Sequence, residues 1–263
     1  MVWYVLDISG IEPSRYDKIA RVYLPIKITD DLAYVCGVLA GDGHIKIKRP
    51  KKHEYLIKCV GNPLDEKEFY NKILTRLFYK LFNIKLRPKL HDQSTTYGFS
   101  LRSKSLALFL TTIIGLPDGR KDNIEVPKIF LENKNMMRAF IQGFADTDLS
   151  LSLKKRYKAY KYYPVVNGVS KSKKLIDQIS DFLISEGFRV SNFKHNYYDP
   201  RVNKKIIKYE ISIYGHLQLV AWMQIIGFRH PKHLKKFQIW KEINKDNKRA
   251  VSAFVKLNSG EWI

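Results

Sequence analysis

Two aspartates, Asp42 and Asp148, stand where apolar helical runs end, 106 residues apart in the chain. The runs cover 34–43 and 140–149, and each has small residues at intervals. A carboxylate at the C-terminal end of a helix is disfavoured by the helix dipole, and two neighbouring carboxylates repel each other. Because a divalent cation would relieve both effects, the pattern predicts that Asp42 and Asp148 are metal ligands. The alternative is that each aspartate only terminates a packed helix.

Small residues in the two runs recur at a spacing of four, which places them on one face of a helix. The pairs are Gly37 with Gly41 in the first run and Ala139 with Gly143 in the second. Small side chains on one face allow two helix backbones to approach closely. The two runs are therefore predicted to pack against each other, with their acidic ends together.

The available ligand types favour magnesium over zinc. The chain supplies carboxylates, whereas Cys36 and Cys59 lack a second cysteine or a histidine at zinc-binding spacing. Mg²⁺ prefers oxygen ligands. Two or more Mg²⁺ ions between these carboxylates and a phosphate would polarise the phosphate, activate water and stabilise the leaving oxygen. The predicted reaction is the hydrolysis of phosphodiester bonds.

The charge balance predicts a phosphate-rich partner. Lys and Arg number 47 against 25 Asp and Glu, a net charge of +22 that is spread along the chain. Binding to nucleic acid releases condensed counterions, so this charge favours nucleic acid over the alternative, an anionic membrane surface. No apolar stretch reaches the roughly 18 residues that span a bilayer, and no basic leader is present. We expect a cytoplasmic, nucleoid-associated protein with no membrane partner.

The chain repeats one order of elements: helix, two strands, helix, two strands, helix. The first half is predicted to hold strands 44–48, 54–60, 84–91 and 96–102 and helices 64–82 and 105–114. The second half is predicted to hold strands 149–157, 165–170, 188–196 and 208–214 and helices 173–185 and 217–226. Such a duplication predicts an α+β fold of two αββαββα halves, related by a pseudo-two-fold axis and packed through their first helices.

The same repeat gives predicted domain boundaries. A lead-in covers 1–30, the first repeat 31–117, a linker 118–134 and the second repeat 135–231. Residues 232–263 add a basic helix over 234–243 and a tail without an assignment.

The stretches GVLAGDG at 37–43 and GFADTDL at 143–149 resemble the signature of the LAGLIDADG homing endonucleases. The likeness is to the single-chain, archaeal-type, free-standing form with two motifs, and it extends over about 24–243. It implies a curved antiparallel DNA-binding sheet in each half. It also implies a monomeric, intron-type endonuclease that cuts double-stranded DNA sequence-specifically, with one acidic site for each strand.

The resemblance also implies roles for individual residues. The last acidic residue of each motif binds metal, the backbone carbonyl before it assists, and a basic residue near each site stabilises charge or orders water. Carried over by position, the metal ligands are Asp42 and Asp148 with the carbonyls of Gly41 and Thr147, and the basic catalytic candidates are Lys121 and Lys235. The alternative for either lysine is a solvated side chain.

Leu149 departs from the family pattern, which has glycine there, as the first motif does at Gly43. If that position takes a left-handed conformation, leucine would lose about 1–2 kcal/mol in it. The expected consequence is a displaced second site, with nicking of one strand or lost activity. Alternatively, Leu149 keeps phase with Leu151 and Leu153 and opens the strand one residue early.

Two basic segments at equivalent positions of the repeats are predicted to hold the DNA. The first contributes His44, Lys46, Lys48, Arg49, Lys51, Lys52 and Lys58. The second contributes Lys154, Lys155, Arg156, Lys158 and Lys161. Strands with one basic face can lie in the major groove, where side chains contact bases and phosphates. The alternative is that these lysines protect exposed strand edges.

A second function stays open beside the endonuclease: a non-cleaving nucleic-acid binder on the same scaffold. This binder would be an RNA maturase, with intron RNA as a partner, or a DNA-binding regulator. A third candidate, an intein, is disfavoured because the sequence opens with Met1 and ends in Ile263, without a Cys or Ser start and a His-Asn finish.

Overall fold

The computed structural model describes residues 5–48, 54–156, 160–200 and 203–245. Packing divides the chain into two units, Met1–Thr147 and Asp148–Ile263. Each unit contains a four-stranded antiparallel sheet with helices. The α+β fold predicted from the repeat is confirmed.

Unit 1 contains both motif helices and the first sheet. Its helices are α1 (Arg15–Ile19), α2 (Asp30–Gly41), α3 (Thr75–Phe82), α4 (Lys104–Leu108), α5 (Lys128–Leu131) and α6 (Lys134–Thr147). A π-helical turn, Phe69–Leu74, precedes α3, and another, Phe109–Ile113, follows α4. Its strands are β1 (Gly43–Lys48), β2 (Glu54–Gly61), β3 (Lys89–His91) and β4 (Thr96–Arg102).

The sheet of unit 1 has the strand order β1-β2-β4-β3. Ile45 pairs with Ile57, and both side chains are buried on one face. Because side chains alternate along a strand, the neighbouring pair, His44 with Lys58, lies on the opposite face. The apolar face packs on aromatic side chains, with the ring centroids of Phe78 and Phe99 4.9 Å apart.

Within unit 1, a buried carboxylate joins the lead-in to the start of α4. Asp17 caps the start of α1 by accepting hydrogen bonds from the backbone N–H and the hydroxyl of Ser14. It also accepts from the Ser103 hydroxyl at 2.7 Å and from the Ser105 backbone N–H at 3.1 Å, at the start of α4. One side chain therefore satisfies donors at two helix N-termini.

In its described residues, unit 2 contains the second sheet and three helices. The strands are β5 (Leu149–Arg156), β6 (Tyr160–Ser170), β7 (Val190–Asp199) and β8 (Lys204–Tyr214), in the order β5-β6-β8-β7. The helices are α7 (Lys173–Ser185), α8 (His216–Ile225) and α9 (Pro231–Ile243). Leu151, Val166, Ile211 and Ile213 are buried on one face of the sheet. The hydrogen bond between Ser180 of α7 and Asn192, the partner of Ile211, shows that α7 covers this face.

Several predicted boundaries are wrong. Helix 64–82 begins only at 67, because Glu66 accepts from the Asn62 backbone N–H and closes a turn before it. Strand 84–91 is confined to Lys89–His91, while β6, β7 and β8 are longer than predicted. The short helices α1 and α5 have no amphipathic period from which to predict them. α7 has the predicted limits.

The two units do not coincide with the two sequence repeats. α6 opens the second repeat in sequence but packs with α2 inside unit 1. The repeat boundaries remain a sequence prediction. Among the described residues, no helix is long and apolar enough to cross a membrane.

Candidate functional site

α2 and α6 cross at two glycines. A Cβ on Gly37 would lie 2.0 Å from the Phe140 carbonyl oxygen, and one on Gly143 would lie 2.0 Å from the Tyr34 carbonyl oxygen. A shift of 106 residues converts the first contact into the second, so the interface is symmetric in the manner of a two-fold dimer. Ala139, also predicted to lie here, is buried. The backbones approach so closely that no side chain fits between them.

Asp42 follows the last residue of α2 directly and is half-buried. Its backbone N–H donates to the Val38 carbonyl at 3.0 Å, so it caps the helix, and β1 starts at the next residue. A Cβ on Gly43 would lie 2.4 Å from the Leu39 carbonyl oxygen. Glycine is therefore required at this turn because the chain passes close over its own helix.

A cation lies at the end of α2 in this structure. The Lys121 ammonium donates to the Gly41 carbonyl and, at 3.2 Å, to the Ala40 carbonyl. The last carbonyls of a helix attract positive charge because they have no partner within the helix and form the negative end of its dipole. The structure thus brings together Lys121 and Gly41, two residues that the sequence singled out separately.

Cys59 lies beside the same site, because it pairs with Gly43 across β1 and β2. Burial raises the pKa of its thiol, the charge of Asp42 raises it further, and the charge of Lys121 opposes the rise. Asp42, Lys121 and Cys59 are thus electrostatic neighbours. Across the described ranges, no group of three or more His, Cys, Asp or Glu side chains could hold a metal ion by itself.

The second motif ends at the junction of the units. Thr147 is the last residue of α6, Asp148 follows it, and Leu149 opens β5. The expected left-handed strain at Leu149 is wrong, because neither Gly43 nor Leu149 is among the residues with positive φ. Leu149 does open β5, as the alternative predicted, but β1 begins at the equivalent Gly43, so this start is not early. Whether the second site is displaced stays a prediction.

The Leu149 side chain is accommodated by a change on the neighbouring strand. Leu149 is 3% exposed and pairs with Gly168 on β6. A Cβ on Gly168 would lie 2.5 Å from Leu149 Cδ2 and 2.2 Å from the Asp148 carbonyl oxygen. The equivalent pair in unit 1 is Gly43 with Cys59. In unit 1 the glycine of this pair lies on the first strand of the sheet, and in unit 2 it lies on the second strand.

Lys235 and Lys121 have different surroundings in their units. Lys235 is exposed on α9, while His233 of the same helix is buried against β5. His233 Nδ1 accepts a 3.4 Å hydrogen bond from the Leu151 backbone N–H. Burial, helped by the positive charges of His230 and two lysines, lowers the pKa of His233 to about 2. A neutral histidine, which the sequence did not single out, therefore contacts the strand that follows Asp148.

The predicted DNA-binding residues lie mainly on the sheets. In unit 1, His44 is exposed, Lys46 is half-buried, and Lys58 forms a 2.9 Å ion pair with Asp92. In unit 2, Lys154 and Lys155 are exposed on β5. Lys48, Arg156 and Lys161 belong to β1, β5 and β6, whereas Arg49, Lys51, Lys52 and Lys158 lie outside the described residues.

No family model matches the chain. An uncharacterized protein of Methanocaldococcus jannaschii, MJ0314, is 25% identical over 174 residues, which make up 65% of this chain and 60% of that protein. The chain thus matches less than two thirds of this relative.

The structure is similar to solved structures of proteins bound to DNA. I-DmoI in complex with DNA and Ca has a TM-score of 0.56 and 20% identity, over 80% of this chain and 97% of that chain. I-WcaI bound to its DNA recognition sequence has a TM-score of 0.50 and 12% identity, over 88% and 98%. The LAGLIDADG homing endonuclease I-GzeII in complex with its DNA target has 0.50 and 10%, over 89% and 97%. This chain therefore has the fold of the single-chain, two-domain LAGLIDADG homing endonucleases.

Proposed function

We propose that this chain is a sequence-specific endonuclease that cuts double-stranded DNA by metal-dependent hydrolysis, as intron-type homing endonucleases do. The observation that carries the proposal is the end of α2, where Asp42 follows a carbonyl that already holds a cationic group. The fold supports it, because solved neighbours with this fold are described as DNA complexes. The basic residues on both sheets support DNA as the ligand.

The residues at the motif ends fit a hard divalent cation. Asp42 with the Gly41 carbonyl, and Asp148 with the Thr147 carbonyl, would each supply the oxygen ligands that Mg²⁺ prefers. The Lys121 ammonium on the Gly41 carbonyl shows that this oxygen accepts a positive group. With only these protein ligands, phosphate oxygens and water would complete each site. A bound ion of this kind polarises the scissile phosphate and lowers the pKa of its water.

The chain's own residues hold and orient the reactants. Asp42 and Asp148 each fix one site, so that each site serves one strand. Lys121 leaves the Gly41 carbonyl and places its ammonium near the charge that develops on the phosphate. We propose the same task for Lys235 at the other site. Because one chain would supply both sites, we propose that the active form is a monomer. We also propose the cytoplasm, at the nucleoid, as its location, where its DNA substrate would lie.

The test is a selection of cleaved sites from a randomised DNA library with Mg²⁺. Asp42→Asn and Asp148→Asn should each abolish cutting of one strand, so that each variant nicks the selected site. Asp177→Asn is the matched control, because Asp177 pairs with Lys173 on the exposed surface of α7. If both motif variants cut like the parent, the assignment of these residues is wrong. If the parent binds a sequence but never cuts it, the non-cleaving regulator or maturase replaces the endonuclease.

A further inference from the structure

The sheet of unit 2 carries an ionised carboxylate on the face that α7 leaves uncovered. Ile211 and Ile213 are buried on the α7 side, so Glu210 and Ser212 alternate to the other side, where Ser212 is buried and Glu210 is partly exposed. β8 lies between β6 and β7, and Glu210 pairs with Val169 on one strand and Phe193 on the other. Glu210 therefore stands in the interior of this sheet, on what we call the open face of unit 2.

Three side chains hold the Glu210 carboxylate in place. The Ser212 hydroxyl donates to Oε1 at 2.6 Å, and His195 Nε2 lies 2.7 Å from Oε2. Asn167 on β6 also hydrogen-bonds to it. Burial alone would raise the pKa of Glu210, but the hydrogen bonds from Ser212, His195 and Asn167 outweigh it and the pKa is lowered. The side chain remains 17% exposed, so the carboxylate is fixed, ionised and accessible.

The negative charge of Glu210 does not strengthen the binding of a polyanion. The four strands of this sheet contain eight Lys and Arg residues and only two acidic residues, Glu210 and Asp199. The Lys208 ammonium lies 4.3 Å from the ring centre of Tyr197, on the same face. A fixed negative charge on such a face repels phosphates. Glu210 must therefore contribute something other than electrostatic attraction.

Unit 1 has no carboxylate at the equivalent position. There Val60 pairs with Gly98 and Gly98 with Lys89, where unit 2 has Val169, Glu210 and Phe193. A Cβ on Gly98 would lie 2.2 Å from the Cys59 carbonyl oxygen, so a side chain is excluded. The next row has Lys58 where unit 2 has Asn167. At this level unit 1 has a lysine that is paired with Asp92, whereas unit 2 has the carboxylate of Glu210.

We propose that Glu210 selects cytosine in one half of the DNA target by accepting a hydrogen bond from its N4 amino group in the major groove. This inference rests on the proposed function. Cytosine presents a donor and no acceptor on that edge, whereas guanine, adenine and thymine all present acceptors there that a carboxylate repels. Because Gly98 stands at this position in unit 1, the preference belongs to the half-site that unit 2 contacts.

The experiment selects binding sites from a randomised DNA library with the parent chain and with Glu210→Gln, in Ca²⁺ to separate binding from cutting. Glutamine keeps the shape of the side chain but adds a donor. We expect one strong cytosine position in the parent's site to relax by about tenfold to a hundredfold, with adenine newly tolerated. Asp177→Asn removes the same charge from α7 on the covered side and should leave the site unchanged.

A purely structural Glu210 predicts a different result. In that case Glu210→Gln and Ser212→Ala would both lower the thermal stability, and neither would change the selected sequence. If the parent selects a sequence and Glu210→Gln selects the same one equally strongly, the inference is overturned and the proposed function stands. If the parent selects no sequence at all, the proposed function fails and the inference fails with it.

Discussion

The Tyr34 hydroxyl donates a 2.5 Å hydrogen bond to Asp146 Oδ2, which joins the two motif helices across 112 residues of chain. Tyr34 is 0% and Asp146 2% exposed, so the bond lies in the core of unit 1. When a buried carboxylate loses a hydrogen-bond donor, its desolvation cost is no longer compensated. This contact therefore helps to specify which helices pair.

Tyr34→Phe removes the hydroxyl and keeps the ring. We expect the free energy of unfolding to fall by about 1–3 kcal/mol, measured by urea denaturation at neutral pH. Tyr16→Phe serves as the control, because Tyr16 is 74% exposed and its loss of a hydroxyl should have no effect. Equal stability of the two variants would show that the Tyr34 bond contributes nothing.

Gly37→Ala and Gly143→Ala insert a methyl group where the α2 and α6 backbones touch. Each new Cβ would lie 2.0 Å from a carbonyl oxygen, so the helices must move apart. We expect each variant to lose about 1–3 kcal/mol or more, and the pair to be non-additive because they share one contact. Gly10→Ala is the control, with nothing within 4 Å of its Cβ. Parent-like melting of both helix variants would contradict the close crossing.

Gly168→Ala tests the cross-strand exchange in unit 2. Its Cβ would overlap the Leu149 side chain and the Asp148 carbonyl, so we expect a loss of about 1–3 kcal/mol in thermal or chemical unfolding. Leu149→Ala relieves the first overlap but leaves a void, which costs about 2–5 kcal/mol by itself. The double variant should lose less than the sum of the two. Simple additivity would mean that the two side chains do not share space.

The lowered pKa of the buried His233 should make unit 2 less stable in acid. Its pKa is about 6.5 in the unfolded chain and about 2 in the folded one, so its stabilising contribution is complete above pH 6.5. As the pH falls toward about 2, only the unfolded chain takes the proton, and stability falls by about 1.4 kcal/mol for each pH unit. His233→Gln should remove this part of the pH dependence in unfolding curves between pH 7 and 4. If the stability of parent and variant changes with pH in the same way, His233 makes no such contribution.

Lys121→Met removes the ammonium group that occupies the Gly41 carbonyl. A hydrogen bond to a charged group is worth about 1.5–3 kcal/mol, so we expect DNA-free protein to bind Mn²⁺ about tenfold more tightly. Titration calorimetry measures the affinity, and Lys18→Met in α1 is the exposed control. DNA cleavage should nevertheless decrease, because the same lysine is proposed to act on the phosphate. Unchanged or weaker Mn²⁺ binding would show that the lysine does not compete with the metal.

The features that follow from local periodicity were predictable from the sequence. Alternating residues such as Ile45 and Ile47 gave the strands, and α7 has the predicted limits because its apolar spacing and flanking signals agree. The spacing of Gly37 and Gly41 also predicted that α2 packs against α6. These signals lie within a few residues of the feature that they predict.

The features that depend on a particular side-chain contact or on the pairing of strands were not predictable. The space for the Leu149 side chain is provided by Gly168, which lies 19 residues further along the chain. The turn that delays the helix before α3 depends on the Glu66 side chain reaching the Asn62 backbone. The Glu210 network depends on the pairing of β6, β7 and β8, which sequence spacing does not determine.

The exchanged residues at the starts of the two sheets restrict how the halves can be recombined. In unit 1 the glycine opens the first strand, at Gly43, and in unit 2 it stands on the partner strand, at Gly168. A hybrid that replaces strands of one half by those of the other must therefore transfer positions 149 and 168 together. Moving either residue alone creates a clash or a void, so each single replacement should be more harmful than both together.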